Sequence, residues 1–166
     1  MELLSLILHH ATSVPVFLAF LLAVAFYIYY TREYRTSVLF IVPILATMII
    51  VYFLKEVFAV PRPDEALVNV TTYSFPSAHA ALSMSFAIMM LYVFTEKYSK
   101  QMYQYAHVGA WLFFVPVIGY SRIELGVHRP EEVIAGYITG VVVTLIVVAL
   151  IVKVWPDTRK YKWQRS

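Results

Sequence analysis

The sequence predicts an all-α fold, a multi-pass transmembrane helix bundle of about five spans preceded by a short amino-terminal interfacial helix. Of its 166 residues, 61% are hydrophobic and only 14% are charged, and the mean hydropathy is +0.72. This composition lies far outside the usual range of soluble domains. Five apolar runs are long enough, or nearly so, to cross a bilayer, for which a helix needs about 20 residues. A single membrane domain over residues 1–166 is therefore expected.

The five runs follow one another with short connections, and we predict spans at residues 13–30, 36–55, 77–94, 105–120 and 132–153. Before them, Glu2, Ser5 and His9 fall on one helical face, opposite leucine and isoleucine side chains. That pattern is typical of a helix lying in the membrane interface, with a frayed extension of the first span as the alternative. No basic residue precedes the first apolar run and Pro15 interrupts it, so a secretory signal is not expected.

Basic residues are divided unequally between the two faces that five spans define. The face holding the amino terminus and the connections 60–75 and 121–131 carries four: Lys55, Arg62, Arg122 and Arg129. The other carries nine: Arg32, Arg35, Lys97, Lys100, Lys153, Arg159, Lys160, Lys162 and Arg165. Because cytoplasmic loops are enriched in Lys and Arg, the second face and the carboxy terminus are predicted to be cytoplasmic. The first face is then extracytoplasmic, in a cytoplasmic (inner) membrane.

The remaining composition narrows the function classes. Cysteine is absent, so no disulfide framework, thiolate metal site or cysteine nucleophile is expected. His9 and His10 are predicted in the outer interface and His107 near the cytoplasmic end of the fourth span, without carboxylates spaced to complete a metal site. The basic tail at 159–165 is interpreted as an anchor to anionic lipid headgroups, and no nucleic-acid partner is expected. Gly136 and Gly140 form a GxxxG pattern, for which we expect close packing near Ser83, Ser85 and Ala87.

Three polar clusters interrupt the apolar runs. Lys55 and Arg62 are seven residues apart, so they share a face if the second helix continues to Pro61. Cations at a helix end are also commonly anchors that reach the membrane surface. In the second cluster, Ser77 is predicted to cap the third span. The first amides of that helix favour an anion, and His79 is placed to transfer a proton. The alternative is a capping serine beside an interfacial histidine.

The third cluster combines Arg122, His128 and Glu132 between the last two spans. His128 and Glu132 are four residues apart and face the same way at a helix start. A carboxylate that keeps one imidazole nitrogen protonated leaves the other nitrogen free as a nucleophile or base. A solvated helix start is the alternative. The order of the spans brings all three clusters to one face, and together they suit a phosphate dianion in phosphoryl transfer.

The spacing of these residues resembles a known family. Lys55, Arg62 and Pro63 read K-x6-R-P within residues 55–63, residues 76–79 read PSAH, and residues 121–132 read S-R-x5-H-x3-E. These patterns resemble the three signature motifs of the type 2 phosphatidic acid phosphatase superfamily, which includes membrane lipid phosphatases and soluble vanadium haloperoxidases. The resemblance covers about 80 residues, counted from the first motif to the last.

The resemblance implies a role for each matching residue. His128 would attack phosphorus to form a phosphohistidine, Glu132 would orient it, and His79 would protonate the leaving lipid oxygen. The phosphoryl oxygens would be bound by the other motif residues: Lys55, Arg62, Ser77, the amide of Ala78, and Arg122. No metal or other cofactor is implied. This chain departs from the family pattern at Ala78, where glycine is usual, and at Glu132, where aspartate is usual; many members also have six spans.

The expected function is metal-independent hydrolysis of a membrane lipid phosphate or pyrophosphate. The candidate substrates are lipid A 1-phosphate, undecaprenyl pyrophosphate, phosphatidylglycerophosphate and phosphatidic acid. The short outer connections leave little protein to cover the site, which favours bulky headgroups. The alternative is a non-catalytic phospholipid or anion binder, or a transporter, although no inverted repeat is visible. The lipid bilayer is the expected partner, and the sequence makes no prediction of oligomeric state.

Overall fold

The computed structural model describes residues 14–31, 34–63, 66–68, 70–94 and 101–156. These residues form five α-helices and no strand: α1 (Val14–Thr31), α2 (Tyr34–Phe58), α3 (Ala78–Phe94), α4 (Gln101–Glu124) and α5 (Pro130–Val154). The all-α prediction is therefore confirmed. The predicted interfacial helix at the amino terminus lies outside the described residues.

Two of the five helices are clearly able to cross a membrane. Helices α2 and α5 each have 25 residues and are apolar enough to span a bilayer, while α1 and α3 contain the shorter apolar stretches Leu18–Tyr30 and Ala78–Tyr92. Large apolar side chains such as Phe53, Leu112 and Ile138 are exposed on the bundle surface. Such exposure is unfavourable in water and favourable against lipid. The helices indicate a membrane protein, and the number of five spans stays a prediction.

The helix ends differ from the sequence prediction at two functionally relevant places. Helix α4 begins at Gln101 and ends at Glu124, so Ser121 and Arg122 are helical, although we predicted them in a connection. Helix α2 ends at Phe58, and it does not continue to Pro61. The condition under which Lys55 and Arg62 would share a helical face is therefore not met.

The bundle has an apolar cluster at the end that holds the start of α2 and the end of α3. Its buried members come from α1, α2 and α3: Leu21, Ala25, Ile28, Phe40, Ile44, Leu82, Phe86 and Met89. The Phe86 ring lies at the centre, with ring centroids 5.6 Å from Phe40 and 5.4 Å from Trp111. At the same end, the Arg35 Nε donates a hydrogen bond of 3.0 Å to the Trp155 carbonyl.

Three buried hydroxyl groups meet in the middle of the bundle. The Ser85 hydroxyl of α3 lies 3.2 Å from the Thr47 hydroxyl of α2 and 2.7 Å from the Thr144 hydroxyl of α5. All three side chains are fully buried. The Thr47 hydroxyl also lies 2.9 Å from the Pro43 carbonyl of its own helix. Hydrogen bonds between helices add modestly to the stability of membrane bundles. These residues therefore hold the three helices in register between the apolar cluster and the opposite, polar end.

Helices α3 and α5 approach each other closely at Gly136 and Gly140. A Cβ added at Gly136 would lie 2.5 Å from the Ser77 carbonyl oxygen, and Gly140 faces Ala81 and Met84 of the same neighbour. The GxxxG pattern thus packs on the predicted helix. The contact lies nearer the start of α3 than the expected region of Ser83, Ser85 and Ala87, because the two helices begin side by side at Ser77.

Replacing Gly136 tests this contact. We expect Gly136→Ala to lower the stability by about 1–3 kcal/mol, the usual cost of overpacking, because the methyl group meets backbone rather than a flexible side chain. Gly109→Ala is the matched control, since Gly109 lies in α4 with nothing within 4 Å of an added Cβ. That control should be neutral or slightly stabilising. Thermal unfolding in detergent measures both, and equal effects of the two substitutions would contradict the packing.

Candidate active site

The polar end of the bundle collects residues from four helix ends. Lys55 lies in the last turn of α2 and is 1% exposed. Its Nζ donates hydrogen bonds to the carbonyl oxygens of Tyr73 and Ser74, the latter at 3.1 Å. These acceptors are neutral, so they satisfy the ammonium group without cancelling its charge. The segment before α3 therefore fixes a buried cation.

Arg62 reaches this site from the extended segment after α2. Its Nε donates to the Thr72 carbonyl at 2.8 Å, and its Nη1 donates to the Val127 carbonyl at 2.8 Å. The same Nη1 lies 3.3 Å from Nε2 of His128. The planar guanidinium has donors enough to bind both connections at once. Arg62 therefore links the segment before α3 to the segment before α5.

The turn after α4 places His128. Gly126 has φ 67°, and its amide donates to the Ile123 carbonyl at 2.9 Å, while the Val127 amide donates to the Arg122 carbonyl at 3.2 Å. This pair of bonds is the Schellman motif, which ends helices at a residue in the left-handed conformation. The His128 amide also donates to the Arg122 carbonyl, at 3.3 Å. The backbone carbonyl of Arg122 thus helps to position His128.

The Arg122 side chain is buried, with 1% exposure. Its Nε and Nη2 donate to the Ser121 hydroxyl at 3.1 and 3.0 Å, and that hydroxyl donates to the Ile118 carbonyl at 2.7 Å. The adjacent serine therefore holds the guanidinium near the end of α4. Ser121 was part of the sequence motif, and its contact with Arg122 gives it a physical role.

His128 and Glu132 form the predicted pair across the start of α5. Nδ1 of His128 lies 2.9 Å from Oε2 of Glu132, and both side chains are 3% exposed. The same carboxylate oxygen accepts the amide of Arg129 at 3.1 Å. The other oxygen, Oε1, accepts the Ser74 hydroxyl at 2.8 Å. Both carboxylate oxygens are therefore fixed, one by the imidazole and one by the segment before α3.

The surroundings of His128 define its protonation. The pKa of the imidazole is lowered from 6.5 to about 4: burial is the largest cause, the contact with Glu132 opposes it, and the positive charges of Arg62 and Lys55 add to the lowering. The ring is therefore neutral at pH 7. A neutral imidazole has one N–H, and the carboxylate at Nδ1 requires that proton there. Nε2 then carries the lone pair, consistent with the Arg62 N–H beside it.

Helix α3 brings its first turn against α5. The Ser77 amide donates to the Glu132 carbonyl at 3.0 Å, and the first helical bond of α3 runs from the Ala81 amide to the Ser77 carbonyl, also at 3.0 Å. The amides of Ala78 and His79 therefore precede the first amide that donates within the helix, as at every helix start. His79 lies on this turn and is partly buried.

The predicted cap by Ser77 is not formed. Its hydroxyl is fully buried and has no hydrogen-bond partner among the described residues. The Ser77 amide donates to the Glu132 carbonyl of α5. Contact between α3 and α5 therefore fixes the backbone at Ser77. A buried hydroxyl without a partner is rare in proteins, and this one adjoins the carboxylate-bearing turn of α5.

The structure connects five of the predicted residues. Lys55 and Arg62 both donate to the Tyr73 carbonyl. Arg62 contacts His128, His128 contacts Glu132, and the Glu132 carbonyl accepts from the Ser77 amide. The Arg122 carbonyl accepts from the His128 amide. Ala78 and His79 follow Ser77 on the adjacent helical turn. The sequence analysis did not select residues 72–74, which bind both Lys55 and Arg62. The available signal was their position shortly before the PSAH motif. Most of these contacts use backbone carbonyls, which every residue type has, so the sequence cannot reveal them.

The electrostatic character of this end favours an anion. The site contains three cationic side chains and one carboxylate, and the first amides of a helix add positive potential. Within the part of the chain that the structure describes, no three His, Cys, Asp or Glu side chains are grouped to hold a metal ion. Independence of metal ions stays a prediction. The residues suit binding of a phosphate-like group beside the Nε2 of His128.

A known protein family matches most of the chain. The family model of the PAP2 superfamily matches residues 36–156, a range that includes all three motifs and every residue of the candidate site. The chain therefore belongs to the PAP2 superfamily. The family resemblance read from the sequence is confirmed.

Individual relatives cover less of the chain. Phosphatidylglycerophosphatase B of Bacillus subtilis (strain 168) is 34% identical over 101 residues, which cover 57% of this chain and 47% of that protein. Lipid A 4'-phosphatase of Bacteroides thetaiotaomicron is 32% identical over 68 residues, covering 41% of this chain and 27% of that protein. The matches thus span about half and about a quarter of these relatives' own lengths.

A solved structure shares the fold over nearly the whole chain. The crystal structure of a transmembrane PAP2 type phosphatidylglycerolphosphate phosphatase from Bacillus subtilis superposes with a TM-score of 0.77. The superposition covers 93% of this chain and 78% of that one, at 19% sequence identity. The helical arrangement is therefore that of a transmembrane PAP2 protein.

Two backbone positions near the site give opposite predictions. Gly126→Ala is expected to lower the stability by about 1–2 kcal/mol, because an L-residue is strained in the left-handed conformation. Ala59 already adopts that conformation, with φ 46°, at the end of α2. Ala59→Gly is therefore expected to raise the stability, by about 1 kcal/mol. Thermal unfolding in detergent tests both, and shifts of the same sign would contradict these conformations.

The burial of His128 predicts a pH dependence of stability. In the unfolded chain this imidazole binds a proton near pH 6.5, whereas in the folded protein it does so only near pH 4. The unfolded state therefore binds more protons between these values, and stability falls as the pH is lowered through this window. Chemical denaturation of wild type and His128→Gln at pH 7, 5.5 and 4.5 isolates the contribution. An identical pH dependence in both proteins would contradict the burial argument.

Proposed function

We propose that the protein is a membrane lipid phosphatase that works through a phosphohistidine on His128. The observation that carries the proposal is the placement of this imidazole, with Nδ1 2.9 Å from the Glu132 carboxylate and Nε2 3.3 Å from Arg62 Nη1. A ring nitrogen with a free lone pair is thus fixed beside a cation able to bind a phosphoryl oxygen. Membership of the PAP2 superfamily supports the same reaction class.

The reaction proceeds in two steps. Nε2 of His128 attacks phosphorus, a P–N bond forms, and the bond from phosphorus to the lipid oxygen breaks. His79 donates a proton to that leaving oxygen. A water molecule then attacks the phosphohistidine, loses a proton to His79, and releases inorganic phosphate with regeneration of the neutral imidazole. Glu132 stabilises the positive charge that the ring carries while phosphorus is bound to it.

The cations supply most of the stabilisation of the transition state. Phosphoryl transfer spreads negative charge over three equatorial oxygens, and fixed donors in a water-poor site stabilise this charge strongly. Lys55, Arg62 and Arg122 are held in place by carbonyl or hydroxyl partners. The Ser77 hydroxyl and the Ala78 amide are the proposed further donors from the start of α3.

The substrate is proposed to be a lipid phosphate monoester or pyrophosphate at the membrane surface. The names of the relatives favour phosphatidylglycerophosphate, and they add the 4'-phosphate of lipid A to the panel that includes lipid A 1-phosphate, undecaprenyl pyrophosphate and phosphatidic acid. The five-residue turn at 125–129 and the described part of the segment 59–77 place the site near the end of the bundle. A site at the end of the bundle is close to the membrane surface, where a lipid headgroup lies.

The site is proposed to face the outside of a cytoplasmic membrane. Its residues lie at the end of the bundle opposite Arg35 and Lys153, which belong to the face predicted to be rich in basic residues. The excess of Lys and Arg at that face supports a cytoplasmic carboxy terminus. Lipid substrates would then be processed in the outer leaflet.

A non-catalytic anion binder is the second candidate. The cations alone would serve such a protein, but a carboxylate at the centre of the site weakens the binding of an anion. Glu132 is useful where an imidazole must be oriented and its developing charge stabilised. The His128–Glu132 pair therefore favours catalysis over binding.

Phosphate release in detergent tests the proposal. The purified protein with EDTA is expected to release phosphate from at least one lipid of the panel, and vanadate should inhibit it as a mimic of the transferring group. His128→Ala should reduce kcat by about 10³-fold or more, since it removes the nucleophile. His107→Ala is the control, because His107 lies on α4 beside the Met90 carbonyl at the other end of the bundle.

The outcomes separate the candidates. Binding of lipid phosphate without turnover by the wild type would establish the anion binder. Release at the wild-type rate by His128→Ala would rule out the phosphohistidine. Loss of activity with EDTA, restored by a divalent ion, would contradict the metal-independent reaction.

A further inference from the structure

Ser74 occupies a central position among the contacts of the site. It is fully buried, and its hydroxyl donates to Oε1 of Glu132 at 2.8 Å. Two further acceptors, the carbonyls of Val60 and Pro61, lie at 3.1 Å from the same hydroxyl. A hydroxyl has one proton, and the ionised oxygen is both the nearest and the strongest acceptor. The bond to Glu132 is therefore the main one.

We propose that Ser74 is a positioning residue, which fixes the Glu132 carboxylate and through it the reactive orientation of the His128 ring. The inference rests on the proposed phosphatase function and extends it to a residue outside the three motifs. Without Ser74, the remaining contacts of the carboxylate among the described residues are both at Oε2, with the imidazole itself and the Arg129 amide. A carboxylate fixed at one oxygen can rotate about its terminal torsion, and the ring turns with it.

The length of Glu132 explains why a second support is present. The side chain of Glu132 has one methylene more than aspartate, which adds a rotatable bond between the backbone and the carboxylate. That bond raises the number of conformations that must be excluded. It also extends Oε1 to Ser74 while Oε2 remains on His128. The serine and the longer acid therefore act as a unit.

The hydroxyl can be removed without disturbing the other contacts of this residue. The Ser74 amide donates to the Val60 carbonyl at 2.9 Å, and the Ser74 carbonyl accepts from Lys55. Both are backbone groups that alanine retains. Ser74→Ala thus isolates the contact with Glu132, apart from the two longer approaches to Val60 and Pro61.

The first experiment is a double-mutant cycle on phosphate release. Ser74→Ala is expected to lower kcat about 10–100-fold, the usual effect of losing a bond that orients a reacting group, with KM changed less than about threefold. Ser74→Thr, which keeps the hydroxyl, should recover at least part of the loss. In a Glu132→Asp background the shorter acid cannot bridge both partners. Ser74→Ala should then change kcat by less than about threefold.

The control separates positioning from folding. Ser83→Ala removes another buried serine, whose hydroxyl bonds only to the Ala80 carbonyl of its own helix in the described structure, and it should leave kcat within about twofold of wild type. If Ser74→Ala lowers kcat by the same factor in both backgrounds, the hydroxyl acts through the Val60 or Pro61 carbonyl instead. That result overturns the proposal.

A second measurement does not depend on turnover. The ¹⁵N shifts of the His128 ring report which nitrogen carries the proton, and wild type should show the Nδ1–H form. Ser74→Ala should populate the Nε2–H form as well, whereas Ser83→Ala should not. If wild type releases no phosphate but the tautomer shifts as expected, the phosphatase function fails and the positioning role stands. If wild type is active and Ser74→Ala changes neither kcat nor tautomer, the positioning role fails alone.

Discussion

The hydrogen bond between His128 and Glu132 is the interaction on which the polar end of this bundle depends. Both groups are 3% exposed, and a buried carboxylate is tolerated only where its oxygens have donors. Those donors come from three parts of the chain: the imidazole, the start of α5, and the segment before α3. The hydrogen bonds of the Glu132 carboxylate therefore form only when these segments are in contact. The same arrangement keeps Nε2 available for the proposed attack.

The helices hold this arrangement by close contact of backbones. At Gly136 the α5 backbone approaches the Ser77 carbonyl of α3, and the Ser77 amide bonds to the Glu132 carbonyl. The proposed general acid and the proposed nucleophile thus lie on neighbouring helix starts whose separation is set by main-chain atoms. In the middle of the bundle, the hydroxyl groups of Thr47, Ser85 and Thr144 connect α2 to α3 and α5. The apolar cluster at the far end adds packing between α1, α2 and α3.

Much of this could be predicted from the sequence because the dominant signals are local. Apolar run lengths located the helices, and the four-residue spacing of His128 and Glu132 predicted their contact. Two local features differ from the patterns considered in the sequence: α2 ends before Pro61, and Ser77 does not cap α3. Ser74 was also missed. Its contact with Glu132 joins positions 58 residues apart. The residue type alone does not indicate so distant a partner.

Arg62 illustrates how one side chain joins chemistry and architecture. Its donors reach the carbonyls of Thr72 and Val127, so it crosslinks the two connections that border the site, while its charge lies beside His128. A lysine at this position would keep the charge but present one ammonium centre in place of a branched plane. Arg62 therefore contributes both to the spacing of the two connections and to the positive potential beside His128, so a substitution there alters both.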